Sequence, residues 1–136
     1  MASQKANDPT LRIEVSPGEL LDKLSILEIK SERIDDAAKL TNIRHELDLY
    51  RETITRQMRM TDEMATLLRD LKAANEALWD IEDEIRACEA RQDFGARFIE
   101  LARSVYRTND RRAAIKRQIN LLCGSSIIEE KSYTPY

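Results

Sequence analysis

Along most of the chain, apolar residues return at alternating steps of three and four. The longest run is Met64, Leu67, Leu71, Ala74, Leu78, Ile81, Ile85 and Cys88, and Phe98, Leu101, Val105, Thr108, Arg112, Ile115, Ile119 and Leu122 repeat its spacing. Such a stripe is the signature of a coiled-coil-type seam on one helix face. Leu40, Ile43, Leu47, Tyr50, Ile54 and Met58 mark a third amphipathic helix, and Leu20, Leu24, Leu27 and Ile34 mark a shorter one. Stop and start signals divide these runs. Ser16-Pro17-Gly18-Glu19 reads as a cap with a closing capping box, Asp35-Asp36 and Thr61-Asp62 as further breaks and caps, Gln92-Asp93-Phe94-Gly95 as a turn, and Gly124 as a stop.

The pattern predicts an all-α fold. It is an antiparallel bundle of four main helices near 17–35, 37–59, 62–91 and 96–123. The last two are each about 40 Å long and form a C-terminal hairpin, because the connection between them is short. Leu71, Leu78, Ile81, Val105 and Ile115 are its expected core. Short extended segments flank the helices. Leu11, Ile13 and Val15 alternate with Arg12 and Glu14, and Ile127 and Ile128 are candidates to pair with them. Residues 1–10 read as a flexible leader, 11–133 as one helical domain and 134–136 as a tail.

Composition narrows the function classes. Among 136 residues the net charge is -3, with acidic and basic residues interleaved, which argues against a nucleic-acid partner. The sequence contains neither an apolar run of membrane-spanning length nor a signal-peptide core, so a cytoplasmic location is expected. Cys88 and Cys123 read as reduced, buried small hydrophobes. His45 is the one histidine and falls on a solvent-like face, so no zinc site is expected.

The candidate chemistry is a polar belt across the hairpin. Counting outward from the turn puts Asn75 level with Arg112, Trp79 level with Thr108 and Asn109, and Glu82 level with Val105 and Tyr106. An arginine in a seam needs a carboxylate or a ligand. In the structural reading Glu82 or Asp83 pairs with Arg112, Asn75 adds a hydrogen bond, and the cluster sets the register. In the functional reading Asn75, Trp79, Glu82, Tyr106, Asn109, Arg112 and Lys116 line a ligand site. There Trp79 and Tyr106 are stacking walls, and Arg112, Lys116 and Arg103 receive an anionic group. A magnesium ion is the minority reading. Asp80, Glu82, Asp83, Glu84 and Asp110 could supply oxygens, as could Glu19-x-x-Asp22 with Glu28 and Glu82, but neither spacing is specific. No cofactor is otherwise expected. A protein partner, self-association and an anionic small molecule all stay open.

The stretches SPGELLDKLSILEIKSERI, NEALWDIEDEIR, FIELARSVYRTNDRRAAIKRQIN and EEKSY together resemble a small bacterial and phage family of domains of unknown function, the 6165 family. Asn75, Leu78, Trp79, Glu82 and Asp83 are also similar to the N-x-x-L-W-x-x-E-D signature of another uncharacterised helical family. The first resemblance implies that members accompany genes for surface-sugar synthesis, and it implies no reaction, cofactor or catalytic residue. Two function classes result. One is a non-enzymatic binding or assembly module, accessory to envelope-sugar biosynthesis. The other is a small helical enzyme or binding protein for a phosphorylated metabolite, a nucleotide or sugar phosphate, using the belt.

Overall fold

The computed structural model describes residues 8–136, so most of the expected leader, residues 1–7, lies outside the described residues. Four helices follow in order: α1 (Pro17–Arg33), α2 (Ala37–Gln57), α3 (Asp62–Ala90) and α4 (Ala96–Cys123). The caps read from the sequence are made. Ser16 Oγ accepts from the Glu19 N–H, Asp36 Oδ1 from the Lys39 N–H and Thr61 Oγ1 from the Met64 N–H. Gly124 closes α4 with a left-handed φ of 65°, a conformation in which a side chain is strained. The capping box at α1 is only half formed. The Glu19 carboxylate turns to Lys116 Nζ at 2.8 Å, away from its own helix start.

α3 and α4 form the long hairpin, and Gln92, at φ 56°, makes the left-handed step in its turn. α1 packs against both of them and against α2, whereas α2 packs only on α1. The core therefore gathers around α1. Leu21, Leu24 and Leu27 meet Ile43 and Leu47 of α2, Met64 and Leu71 of α3, and Ile115 and Ile119 of α4. Leu71 and Ile115 are buried as expected. Leu78, Ile81 and Val105 are only half-buried, although Cys88 and Leu101, nearer the turn, are buried; Leu78 lines an open cleft.

Two further expectations change. Leu11 and Ile13 are 92% and 87% exposed, and no strand forms among the described residues, so the pairing with Ile127 and Ile128 is absent. Cys88 is buried, but Cys123 is exposed at the end of α4 with its thiol 3.8 Å from Met64 Sδ. The C-terminal segment runs back along α4. Glu129 bonds Lys116, Glu130 bonds Arg117 and the Tyr136 hydroxyl donates to Asp110.

α1 comes close enough to α4 to demand a glycine. The Gly18 N–H donates to Asn120 Oδ1 at 2.7 Å, and a Cβ at Gly18 would stand 2.6 Å from the Lys116 carbonyl oxygen. Backbone cannot yield there as a flexible side chain could. Gly18→Ala should therefore destabilise the fold by about 1–3 kcal/mol, the usual cost of overpacking. Urea unfolding of the two proteins checks this, and an unchanged midpoint would mean that the helices are not so close.

Candidate functional site

The belt residues are positioned by α1 as much as by the hairpin. Asp22 sits one turn into α1, on the side that faces the groove between α3 and α4, and is 1% exposed. Arg112 of α4 grips its carboxylate with both prongs of the guanidinium, Nε to Oδ1 at 2.9 Å and Nη2 to Oδ2 at 2.5 Å. Asn75 of α3 donates to the same Oδ1 at 2.9 Å and to Ser25 Oγ at 2.8 Å. Ser25 in turn donates to the Asp22 carbonyl oxygen. Lys116 stands 3.8 Å from Asp22 Oδ2 and 2.8 Å from Glu19. Every buried side-chain polar atom among the described residues has a partner.

This corrects the expected pairing of Arg112 with Glu82 or Asp83. Those two acids are exposed, and Glu82 bonds Arg86 one turn along its own helix. Asp22 wins because it is buried and offers both carboxylate oxygens at bonding distance to two nitrogens of the guanidinium fork. Asn75 and Arg112 do lie level, since they share one carboxylate oxygen.

The structure brings four of the seven candidate residues to one cleft. Asn75, Trp79, Glu82 and Arg112 line a space of about 410 Å³ with Ile26 and Leu78. Arg33 lies 5.9 Å from the Trp79 ring and bonds Asp80, so the indole is flanked by a cation on one side. The other three candidates face elsewhere. Tyr106 and Asn109 line a second cavity, under the C-terminal segment, and Lys116 a third. At 100° per residue Tyr106 sits about 120° around α4 from Arg112, which separates the two proposed stacking walls. Asp22 was the functional-looking residue that hairpin reasoning missed. The signal for it was the uncompensated seam arginine, which required a buried acid from somewhere.

Most of the acids proposed for magnesium are engaged with cations, and Asp110 accepts from the Tyr136 hydroxyl. Glu19 bonds Lys116, Asp22 bonds Arg112, Glu28 stands 3.5 Å from Lys72 and Glu84 bonds Arg97. Among the described residues no three Asp, Glu, His or Cys side chains converge in a way that could hold a metal ion. No described helix is long and apolar enough to cross a membrane.

The sequence profile of a family of unknown function, DUF6165, matches residues 11–136. The chain belongs to DUF6165. No curated protein and no solved structure matches it. The chemistry of this DUF6165 chain must therefore be argued from its own groups.

The electrostatics are those of a clamp. Burial opposes the charged form of Asp22, but hydrogen bonds from Arg112 and Asn75 and the charges of Arg112 and Lys116 outweigh it and hold the carboxyl below its ordinary value. The hydrogen bond to Asp22 raises Arg112 in return. Burial likewise opposes the Lys116 ammonium, and its hydrogen bond to Glu19 with the charges of Asp22, Glu19 and Glu129 holds it above the lysine value. A lowered carboxyl stabilises the fold above its unfolded value and loses that contribution as pH falls through the folded one. Against an Asp22→Asn variant, the stability advantage of the native chain should be flat between about pH 5 and 7 and close below about pH 4. Thermal unfolding across that range measures it, and a gap that widened in acid would contradict the assignment.

Proposed function

We propose that this chain is a non-enzymatic binding module whose polar belt clamps α1 onto the hairpin and whose cleft takes a protein partner. The observation that carries the reading is the engagement of Arg112. The cation most suited to receive a ligand anion is already bound on two nitrogens by an acid of its own chain. What remains open in the cleft is mostly apolar wall, Ile26, Leu78 and Trp79, with Glu82, Asp83 and Arg86 at its rim. That lining suits an apolar side chain presented by a helix, with a basic neighbour to meet Asp83. The gene company that the DUF6165 resemblance implies makes a cytoplasmic enzyme of envelope-sugar assembly the natural partner, with this chain as its accessory.

A second reading keeps one observation in its favour. Arg112 also faces the cleft, with its side chain 28% exposed, beside Trp79. A nucleotide or sugar phosphate could reach it there, in a small helical enzyme or binding protein.

One pair of measurements separates the two. A photo-crosslinking residue at position 78 should trap a discrete protein adduct in cells, and Trp79→Ala should abolish it. A thermal-shift series with nucleotides, sugar phosphates and inorganic phosphate should be flat, because a ligand at 100 times its Kd would add about 2.7 kcal/mol of stability. A clear shift that Arg112→Met removes, without any adduct, would move the function to the second reading.

A further inference from the structure

Four tyrosines occur in the chain, and three of them line a single cavity that shares no lining residue with the cleft. The returning C-terminal segment and α4 border an open depression of about 1110 Å³, lined by Tyr106, Asn109, Asp110, Lys131, Tyr133 and Tyr136. Ring centroids of Tyr106 and Tyr136 lie 5.0 Å apart at a 50° tilt, and both residues line the cavity. The Tyr136 hydroxyl donates to Asp110 Oδ2 at 2.6 Å, which fixes the last residue on α4 and leaves the carboxylate with acceptor capacity. Lys131 stands 6.0 Å over the Tyr133 ring.

These rings are poorly covered. Tyr106, Tyr133 and Tyr136 are 43%, 75% and 79% exposed. Clustered exposed aromatic surface of this kind marks a binding site rather than a core. The charge of the lining selects among ligands. The charged side chains of the lining, Asp110 and Lys131, have opposite signs, and the Arg107 charge reaches the Tyr136 hydroxyl, so no cluster of one sign is present to select an anion or an organic cation. The remaining groups are ring faces, which stack on the C–H side of a flat polyhydroxylated ring, and an adjacent amide and carboxylate, which can bond neighbouring hydroxyls. We infer that the tyrosine-lined cavity between α4 and the C-terminal segment binds a neutral saccharide, with Tyr106 and Tyr136 as its stacking platform and Asn109 and Asp110 as its hydroxyl partners.

This goes beyond the protein-binding cleft, with which the cavity shares no residue. The test is saturation-transfer NMR on the full chain. The probes are the methyl glycosides of glucose, galactose and mannose and their N-acetylamino counterparts. At least one should receive magnetisation, with a Kd in the millimolar range. Tyr106→Ala should weaken it about tenfold, Tyr106→Phe should preserve it because the ring face remains, and Trp79→Ala in the cleft should leave it unchanged. Circular dichroism confirms that each variant is folded. Absence of transfer to every glycoside, transfer that survives Tyr106→Ala, or occupation of the cavity by tetramethylammonium or inorganic phosphate instead would each overturn the inference. A failed crosslink at position 78 would leave it standing.

Discussion

Replacing Arg112 with methionine should lower the free energy of unfolding by about 3 kcal/mol near pH 7, at the low end of the cost of breaking a buried ion pair. The change strands Asp22, which is 1% exposed and cannot turn to water. Lys116 at 3.8 Å and the Asn75 amide remain to meet part of its charge, which keeps the loss from being larger. The pH signature is specific. With its main cation gone, Asp22 is left with burial as the dominant influence, and its folded pKa rises above the unfolded one. The penalty is then full above the raised folded value, shrinks as pH falls through it, and is gone below the unfolded value, where the carboxyl is protonated in both states. A loss below about 0.5 kcal/mol, the behaviour of a surface site, would show that Arg112 is not anchored there.

Leu71→Ala should cost about 2–5 kcal/mol, the range for a leucine truncated in a closed core. Leu71 is 0% exposed and belongs to the cluster in which α1, α2, α3 and α4 meet. Leu78, two turns farther along the same seam, is the informative contrast. It is half-buried and lines the cleft, so Leu78→Ala should cost less than about 2 kcal/mol, since water already reaches the side chain. Equal losses at the two positions would mean that the core continues unbroken toward the turn and that the cleft is closed in solution.

The helices were legible because each signal for them is local. Apolar spacing, the caps at Ser16, Asp36 and Thr61, and the glycine stop at Gly124 all act within one or two turns, and the observed ends fall within two residues of the expected ones. The level pairing of Asn75 with Arg112 was legible for a related reason: a short turn fixes which residues of a hairpin face each other. How α1 sits in the hairpin groove was not. Asp22 and Arg112 are 90 residues apart, and α1 buries Gly18, Asp22 and Ser25 along with its leucines. A helix covered on several sides has no single apolar stripe to fix its rotation, so Asp22 read only as an unspecific metal-ligand candidate and not as the partner of Arg112. The C-terminal segment was opaque because ion pairs and one aromatic contact dock it, and these leave no periodic trace.

The central claim is that Asp22, and neither Glu82 nor Asp83, answers the seam arginine. Double-mutant cycles in folding stability test it most directly, one crossing Asp22→Asn with Arg112→Met and one crossing Glu82→Gln with Arg112→Met. The first should give a coupling of about 1–3 kcal/mol, as residues in one buried network do, and the second should stay within about 0.5 kcal/mol of additivity. Strong coupling to Glu82 with none to Asp22 would contradict the account.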